Sequence, residues 1–197
     1  MSNLDQNHIA RRLFTDARTP SHWLPRSVPP EILRELYELA KFGPTSMNCQ
    51  PMRILFVRSG AARERLAGCV NPGNVDKVRG APVIAVLGQD LGFVDHLATL
   101  FAHKADARAY YDGKPEVVAA TALRNSSLQG GYLILAARLL GLVCGPMSGF
   151  NAAAVDAAFW AGTAVRTNFL CCLGYGDAAR LKPRNPRLSF EETCQFL

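Results

Sequence analysis

The sequence lacks the apolar segments that membrane insertion and export require. Its longest apolar stretch, residues 130–143, is interrupted by Arg138 and falls short of the roughly 18 residues that a membrane span needs. The N-terminal stretch MSNLDQNHIARRLF contains no apolar core of a signal peptide. The six cysteines show no CxxC pair and no regular spacing, which indicates neither a disulfide framework nor a zinc site. We therefore expect a soluble cytoplasmic protein with free thiols.

Several catalytic and nucleotide-binding motifs are also missing. There is no GxGxxG for a dinucleotide-binding turn and no GxxxxGK[ST] for a phosphate loop. Residues 145–149 read GPMSG, in which Ser148 is in the wrong position for the GxSxG turn of a serine hydrolase. His96 and His103 stand seven residues apart without an HExxH pattern, so no metal site is expected.

The positive charge of the chain does not point to nucleic acid. The formal net charge is +6, but the basic residues are dispersed except in two clusters, at residues 8–12 and 179–187. Neither cluster is interleaved with the aromatic side chains that a single-strand binding surface uses. The second cluster contains Lys182 and Arg184, which are either solvated or available for an anionic ligand.

Hydrophobic periodicity predicts one compact domain, residues 1–197, in which helices and strands alternate. A chain of this length with 49% hydrophobic residues can bury a sizeable core. Capping residues, prolines and apolar spacing predict helices at residues 6–16, 27–43, 61–70, 93–101, 115–140 and 151–160. Apolar runs predict strands at residues 53–58, 82–90 and 167–176, and the proline-rich end predicts an extended arm with a final amphipathic turn.

Short polar side chains gather where one helix ends and the first strand begins. Thr45, Ser46, Asn48 and Gln50 lie between two prolines, in the stretch GPTSMNCQP. On their own they are typical turn residues. Together with the basic C-terminal cluster and glycine-rich loops elsewhere, they fit a planar, phosphorylated ligand that needs hydroxyls, amides, cations and exposed backbone N–H groups.

Five stretches together resemble the FMN-dependent nitroreductase family: GPTSMNCQP, NVDKVRGAP, RNSSLQGGYLILAARLLGL, GPMSGF, and LGYGD followed by LKPR. The resemblance covers nearly the whole chain. It implies an α+β fold in which a central mixed β-sheet is flanked by helices. It also implies a homodimer, with a long central dimer helix and a C-terminal arm exchanged with the partner.

The stretches FTDAR, LRNSS and PRLSFEE narrow the resemblance to the HadB/RutE-like branch of malonic semialdehyde reductases. This branch implies ping-pong hydride transfer through N5 of FMN, from NADPH or NADH to a small electrophile. The implied reaction reduces malonic semialdehyde to 3-hydroxypropionate in pyrimidine catabolism. A broad nitro or quinone reductase is the alternative within enzymes, and a flavin-binding protein without turnover is the alternative outside them.

The resemblance also implies which residues contact the flavin, and it assigns no catalytic side chain because flavin N5 carries the hydride. Asn74 would bond the pyrimidine edge of the ring, and Lys77 would lie near N1 and O2. Backbone N–H groups of Ser148 and Gly149 would face N5 and O4. Contacts to the ribityl chain and phosphate, reaching into the neighbouring subunit, would come from Pro44, Thr45, Ser46 and Asn48. The phosphate would be held by Lys182 and Arg184, with help from Arg18 and Thr19.

The segment 91–111 is the predicted place of substrate choice, because it sets aromatic side chains beside cations. Phe101, His103, Arg108 and Tyr110 lie within ten residues. A short aldehyde that carries a carboxylate must be held by a cation, and the guanidinium fork of Arg108 suits a carboxylate better than a lysine does. His103 is the second candidate. The alternative is a loosely packed surface excursion.

Overall fold

The computed structural model describes residues 3–197. Helix α1 (Asn3–Ala10) leads into a π-helical turn (Arg11–Thr15), which confirms the predicted first helix with an earlier start. Helix α2 (Pro30–Ala40) begins at a proline, whose missing N–H is not needed in a first turn. Its buried side chains are Leu33, Leu36 and Ala40, spaced as one helical face.

A four-stranded sheet forms the centre of the fold. Its strands are β1 (Met52–Val57), β2 (Val83–Asp90), β3 (Val143–Met147) and β4 (Val165–Gly174), in the order β1-β2-β4-β3. Every strand pairing among the described residues is antiparallel. The α+β class and the central sheet are confirmed, whereas the expected mixture of strand directions is wrong.

The antiparallel direction of β1 and β2 follows from an unpredicted helix. Two helices, α3 (Gly60–Ala67) and α4 (Pro72–Gly80), connect these strands and pack on each other. The chain therefore runs out along one helix and back along the other, and it enters β2 beside the end of β1, where Val57 pairs with Ile84. The sequence pattern predicts α3 but not α4.

Strand β3 was also missed, because the run Gly145-Pro146 reads as a loop. A proline cannot donate a ladder hydrogen bond and is tolerated at a sheet edge. β3 is such an edge strand, paired only with β4 among the described residues. The short helix α7 (Ala152–Phe159) joins the two strands, and Asn151 caps it by accepting a bond from the backbone N–H of Ala154 at 3.0 Å.

Both faces of the sheet are buried. Along β2, Val83, Ala85 and Leu87 face one core, with α2 and the long helix α6 (Pro115–Leu139). The alternate residues Ile84 and Val86 face a second core, with α3, α4 and α7. α6 confirms the predicted helix at 115–140.

A third apolar cluster lies around the segment 91–111. This segment contains two 3-10 helices (Leu91–His96 and Ala107–Tyr111) and the single-turn helix α5 (Leu97–Leu100). Phe93, Leu97, Ala107 and Tyr111 of the segment pack with Cys49 and Ala122.

The C-terminal residues after β4 are exposed except where they meet the N-terminal segment. A short 3-10 helix (Ala178–Arg180) is followed by helix α8 (Phe190–Thr193), which has a capping box between Ser189 and Glu192. Four large apolar side chains of this arm are exposed: Leu188, Phe190, Phe196 and Leu197. No helix in the described range 3–197 is long and apolar enough to span a bilayer.

Gly88 provides a test of the packing on the second face. It lies at an irregularity between β2 and β4, where a Cβ atom would stand 2.3 Å from Cγ1 of Val165 and 3.1 Å from Cζ2 of Trp160. We expect Gly88→Ala to lower the free energy of unfolding by about 1–3 kcal/mol, measured by urea denaturation. The matched control is Gly60→Ala, because nothing lies within 4 Å of its Cβ position. Equal stability of the two variants would contradict this packing.

Candidate functional site

Helix α4 presents a lysine and an asparagine that bond to each other. Asn74 and Lys77 are three residues apart and therefore share one helix face. Lys77 Nζ donates to Oδ1 of Asn74 at 3.1 Å, and Asn74 Nδ2 donates to the carbonyl oxygen of Gly149 at 3.0 Å. Three of the residues assigned to the flavin ring are thus joined by a chain of hydrogen bonds.

The turn after β3 fits closely against α4. A Cβ atom on Gly149 would lie 2.6 Å from Nδ2 of Asn74, so a larger residue would displace this amide. The carbonyl of Gly149 also accepts the backbone N–H of Asn71, at 3.0 Å. Ser148, immediately before it, is exposed. Glycine at this position therefore fixes the distance between the turn and α4.

A small cavity of about 50 Å³ lies beside Lys77 and between the N-terminal loop and the sheet. Thr19 and Ser21 line it from the loop, and Met147 and Cys172 from the strands. Burial raises the pKa of the Cys172 thiol to about 12, so this thiol stays protonated and acts as an apolar wall.

A second cavity, which we call the basic pocket, has a volume of about 390 Å³. It gathers Arg18, Thr19, Lys182 and Arg184, the four residues predicted to hold a phosphate. It also contains cationic or titratable side chains that sequence reasoning missed: His22, Arg138, Arg180 and Arg187. No Asp or Glu of the described residues lines this pocket.

The cations of the basic pocket are positioned by backbone carbonyls rather than by acids. Arg184 Nη2 donates to the carbonyls of Thr15 and Ala17, at 2.6 and 3.0 Å, and Arg18 donates to the carbonyl of Lys182. The C-terminal arm and the N-terminal loop are held together in this way. The buried Nδ1 atom of His22 has no hydrogen-bond partner within the part of the chain that the structure describes. The cations of the basic pocket therefore have no acidic partner among the described lining residues, which favours an anionic ligand.

A larger open groove of about 880 Å³ adjoins the basic pocket along α1 and shares Arg18 with it. Unlike the basic pocket, this groove has an acidic residue in its lining, Asp16, which pairs with Arg11 at 2.9 Å. The basic pocket is therefore the stronger candidate for an anion.

Thr19 and Ser21 line both the basic pocket and the small cavity beside Lys77. The phosphate residues and the ring residues thus lie on either side of one N-terminal loop. Eight of the twelve predicted cofactor residues meet in this region: Arg18, Thr19, Asn74, Lys77, Ser148, Gly149, Lys182 and Arg184.

The other four, Pro44, Thr45, Ser46 and Asn48, lie elsewhere in the chain. They line neither of these two cavities. The backbone N–H of Ser46 donates to Oδ1 of Asn125 on α6 at 2.8 Å, and Asn48 Nδ2 donates to the carbonyl of Leu100 at 2.9 Å. The structure of one chain does not bring this loop to the other eight residues.

The four residues predicted to choose the substrate lie beside that loop. Arg108 Nη2 pairs with Oδ1 of Asp95 at 3.1 Å, and both side chains are exposed. The rings of Phe101 and His103 are in edge contact, with centroids 4.0 Å apart, and Tyr110 is exposed. The guanidinium of Arg108 is accessible but already has one acidic partner.

No group of three or more possible metal ligands occurs among residues 3–197.

Comparison with known proteins decides the family. The model described as the nitroreductase family matches residues 15–175. This chain belongs to the nitroreductase family. The match includes α4, both strands around the Gly149 turn and the loop 44–50, and it ends before the basic C-terminal cluster.

Curated members of the nitroreductase family are similar along almost the full chain. A protein of Ralstonia pickettii, named as a candidate NADH dehydrogenase or NAD(P)H nitroreductase, HadB, is 56% identical over 184 residues, which are 92% of this chain and 94% of that protein. A protein of Cupriavidus pinatubonensis with the same kind of name is 52% identical over 195 residues, or 98% of this chain and 100% of its own length.

Solved nitroreductase structures share the fold at low sequence identity. A Bacillus subtilis protein named as a candidate nitroreductase, ydfN, superposes with a TM-score of 0.89 at 20% identity, covering 100% of both chains. A nitroreductase of Exiguobacterium sibiricum, solved in complex with FMN, gives a TM-score of 0.85 at 18% identity over 94% of this chain and 96% of the other. These similarities establish the nitroreductase fold.

Proposed function

We propose that this chain is an FMN-dependent NAD(P)H oxidoreductase. The observation that carries the proposal is the junction of the basic pocket with the Asn74, Lys77 and Gly149 cluster across Thr19 and Ser21. FMN has a phosphate at one end and a hydrogen-bonding ring at the other, joined by a short polar chain. The phosphate matches the basic pocket, and the ring matches the cluster of Asn74, Lys77 and Gly149. The FMN complex of the Exiguobacterium sibiricum protein supports the same cofactor here.

The basic pocket suits the phosphate of FMN because its cations have no acidic partner in the described lining. Lys182 and Arg184 would bond the phosphate oxygens, together with Arg18 and the hydroxyl of Thr19. Charge-assisted hydrogen bonds of this kind are among the strongest that a protein makes to a ligand. The unpartnered Nδ1 atom of His22 is a further polar group that an occupant of the pocket would satisfy.

Lys77 would serve the ring end of the cofactor. Its ammonium is held at 3.1 Å by Asn74, whose own amide is fixed by the Gly149 carbonyl, so the charge is positioned before a ligand arrives. FMN, when bound, supplies hydride transfer between a nicotinamide and a second substrate. The residues of this chain would hold the ring, and the ammonium group of Lys77 would lie where the reduced ring gathers negative charge.

The electron donor we propose is NADH or NADPH, as the names of the two curated relatives state for those proteins. The chain has no GxGxxG turn, which a nicotinamide that stacks over a bound flavin does not need. For the electron acceptor we propose malonic semialdehyde, which would be reduced to 3-hydroxypropionate in cytoplasmic pyrimidine catabolism. A nitro or quinone reductase is the alternative, since its chemistry uses the same hydride.

We further propose that the active form is a homodimer with α6 at its centre. Four large apolar side chains on α6 are exposed in the single chain: Leu123, Leu128, Tyr132 and Leu139. Leu128, Tyr132 and Leu139 share one face of α6 by their helical spacing, and exposed apolar side chains on one face are typical of interaction sites. In such a dimer the loop 44–48 of one subunit would contact FMN of the other, and the exposed arm 188–197 would pack on the partner.

The phosphate assignment can be tested with riboflavin, which lacks the phosphate. We expect Lys182→Ala with Arg184→Ala to raise the Kd of the apoprotein for FMN by about 10- to 100-fold, because two charged hydrogen bonds are lost at an exposed site. The Kd for riboflavin should change less than about threefold. Fluorescence titration measures both constants.

The matched control removes the same charge elsewhere. Arg34 and Arg79 are exposed and lie outside both cavities, so Arg34→Ala with Arg79→Ala should leave the Kd for FMN nearly unchanged. A protein that binds no FMN at all would refute the proposed cofactor. Equal weakening of FMN and riboflavin would instead reassign the two C-terminal residues.

The dimer predicts a mass near twice 21.4 kDa by light scattering. Leu128 is 50% exposed on α6, so Leu128→Asp should yield monomers and weaken FMN binding together. Leu24, which is 45% exposed and outside α6, provides the control Leu24→Asp, which should remain dimeric. Retention of full FMN binding by a monomeric Leu128→Asp variant would rule out a site shared by two chains.

Substrate choice can be tested at Arg108. We expect Arg108→Ala to lower kcat/KM for malonic semialdehyde by about tenfold, because about 1.4 kcal/mol of carboxylate positioning is lost. Activity with an uncharged quinone should stay within about twofold. Asp95→Ala is the control, since it removes the ion pair with Arg108 and leaves the guanidinium in place.

The same assays separate the alternatives for function. Steady-state oxidation of NADPH and NADH is compared with the aldehyde, a nitroaromatic compound and a quinone. Turnover with the quinone and nitroaromatic alone would favour the broad reductase. Absence of turnover by FMN-loaded protein with every acceptor would indicate a flavin-binding protein.

A further inference from the structure

The loop 44–50 is attached to α6 along one face of that helix. Ser46 N–H donates to Oδ1 of Asn125 at 2.8 Å, and Met52 N–H, just after the loop, donates to Oε1 of Gln129 at 3.0 Å. At the start of the loop, a Cβ atom on Gly43 would lie 2.9 Å from Cγ of Tyr132, so this glycine packs on the tyrosine ring. Positions 125, 129 and 132 recur at helical spacing.

The two amides of α6 are buried and oriented. Asn125 is 2% exposed and Gln129 is 4% exposed. The Nδ2 group of Asn125 donates to the carbonyl of Thr121 at 2.8 Å, one turn earlier on the same helix. This bond turns Oδ1 toward Ser46. Because a buried polar group without a partner destabilises the folded chain, each amide and the backbone N–H from which it accepts a bond stabilise one another.

Between these anchors the backbone is strained. Met47, Asn48 and Gln50 have φ values of 52°, 48° and 39°, in the left-handed region. Such conformations are unfavourable for non-glycine residues and persist only where surrounding contacts hold them. Inside the loop, Thr45 Oγ1 accepts the backbone N–H of Gln50 at 3.2 Å. Outside the loop, the contacts come from α6, from the carbonyl of Leu100, from Arg53, whose Nη1 donates to the carbonyl of Gln50 at 3.0 Å, and from the third apolar cluster, in which Cys49 is buried.

We propose that Asn125 and Gln129 are positioning residues for the flavin site. They hold the loop in its strained conformation before FMN binds, so that Thr45, Ser46 and Asn48 need no ordering on contact with the cofactor. Affinity rises when a binding segment is ordered in advance, because binding then costs less conformational entropy. The inference rests on the proposed contact between this loop and FMN.

Neutral amides suit this role better than carboxylates. A buried carboxylate would need its own charge partner, and it would add negative charge beside a loop that receives a phosphorylated ligand. An amide oxygen accepts the loop N–H without that cost. The same α6 helix carries the exposed apolar side chains proposed for the dimer interface, so the anchors and the interface are parts of one rigid element.

The first test removes each acceptor with little change of volume. We expect Asn125→Leu and Gln129→Met each to raise the Kd of the dimeric apoprotein for FMN by about tenfold, measured by fluorescence titration. Asn168→Leu is the matched control, because Asn168 also joins α6 to another element, by bonds to Ser126 and Ser127 of 2.8 and 3.0 Å, and does not touch the loop. It should change the Kd less than about twofold. Melting temperatures of all three variant apoproteins show whether a loss of FMN affinity results from unfolding. If Asn125→Leu does not fold, Gln129→Met alone provides the test.

The second test asks whether Asn125 acts through the loop. In a background with Thr45→Ala, Ser46→Ala and Asn48→Ala, the loop side chains can no longer contact FMN, and Asn125→Leu should raise the Kd by less than about twofold. A full tenfold effect in that background, or a wild-type Kd in both single variants, would overturn the inference alone. An unchanged Kd in the triple variant would overturn the loop contact on which it rests. Absence of FMN binding by the unchanged protein would overturn the proposed function itself.

Discussion

The double-sided burial of the central strand β2 is the constraint on which the rest of the structure depends. Its side chains alternate between two apolar cores, so helices must cover both faces of the sheet. α2 and α6 cover one face, and α3, α4 and α7 cover the other. The loop 44–50 follows α2 on the first face, whereas Asn74 and Lys77 lie on α4 on the second. This separation within one chain is the physical reason to expect a flavin site completed by a second copy.

Much of the fold could be predicted from local signals, and the errors have local causes. Prolines at the first turns and apolar spacing were sufficient for α2 and α6, and apolar runs for β1, β2 and β4. The pattern of α4 is weak, because its nine residues bury only Val78 and include two glycines. The mixed strand directions were implied by the family resemblance and by no local signal. β3 escaped detection because a Gly-Pro pair interrupts a strand that tertiary pairing with β4 nevertheless forms.

The candidate site was predictable only where a family pattern supplied the long-range information. Asn74 and Lys77 share a helix turn, but nothing local in the sequence brings Gly149 against them. Arg138 was missed as a residue of the basic pocket because its neighbours in the sequence form an apolar helix. Its side chain reaches the pocket because α6 ends near the N-terminal segment, where Arg138 donates to the carbonyl of Leu13. Asn125 and Gln129 were missed for a related reason. A buried amide inside a helix has no sequence signature that tells which backbone group it satisfies.

Pro146 in the edge strand β3 has a consequence for encounters between separate folded chains. An open sheet edge offers unpaired backbone groups to which a strand of another molecule can add. A proline has no N–H, so the ladder along this edge is interrupted in the middle of a five-residue strand. At the exposed Pro146, an incoming strand therefore finds no N–H to bond at the centre of this edge, which disfavours edge-to-edge pairing of folded chains.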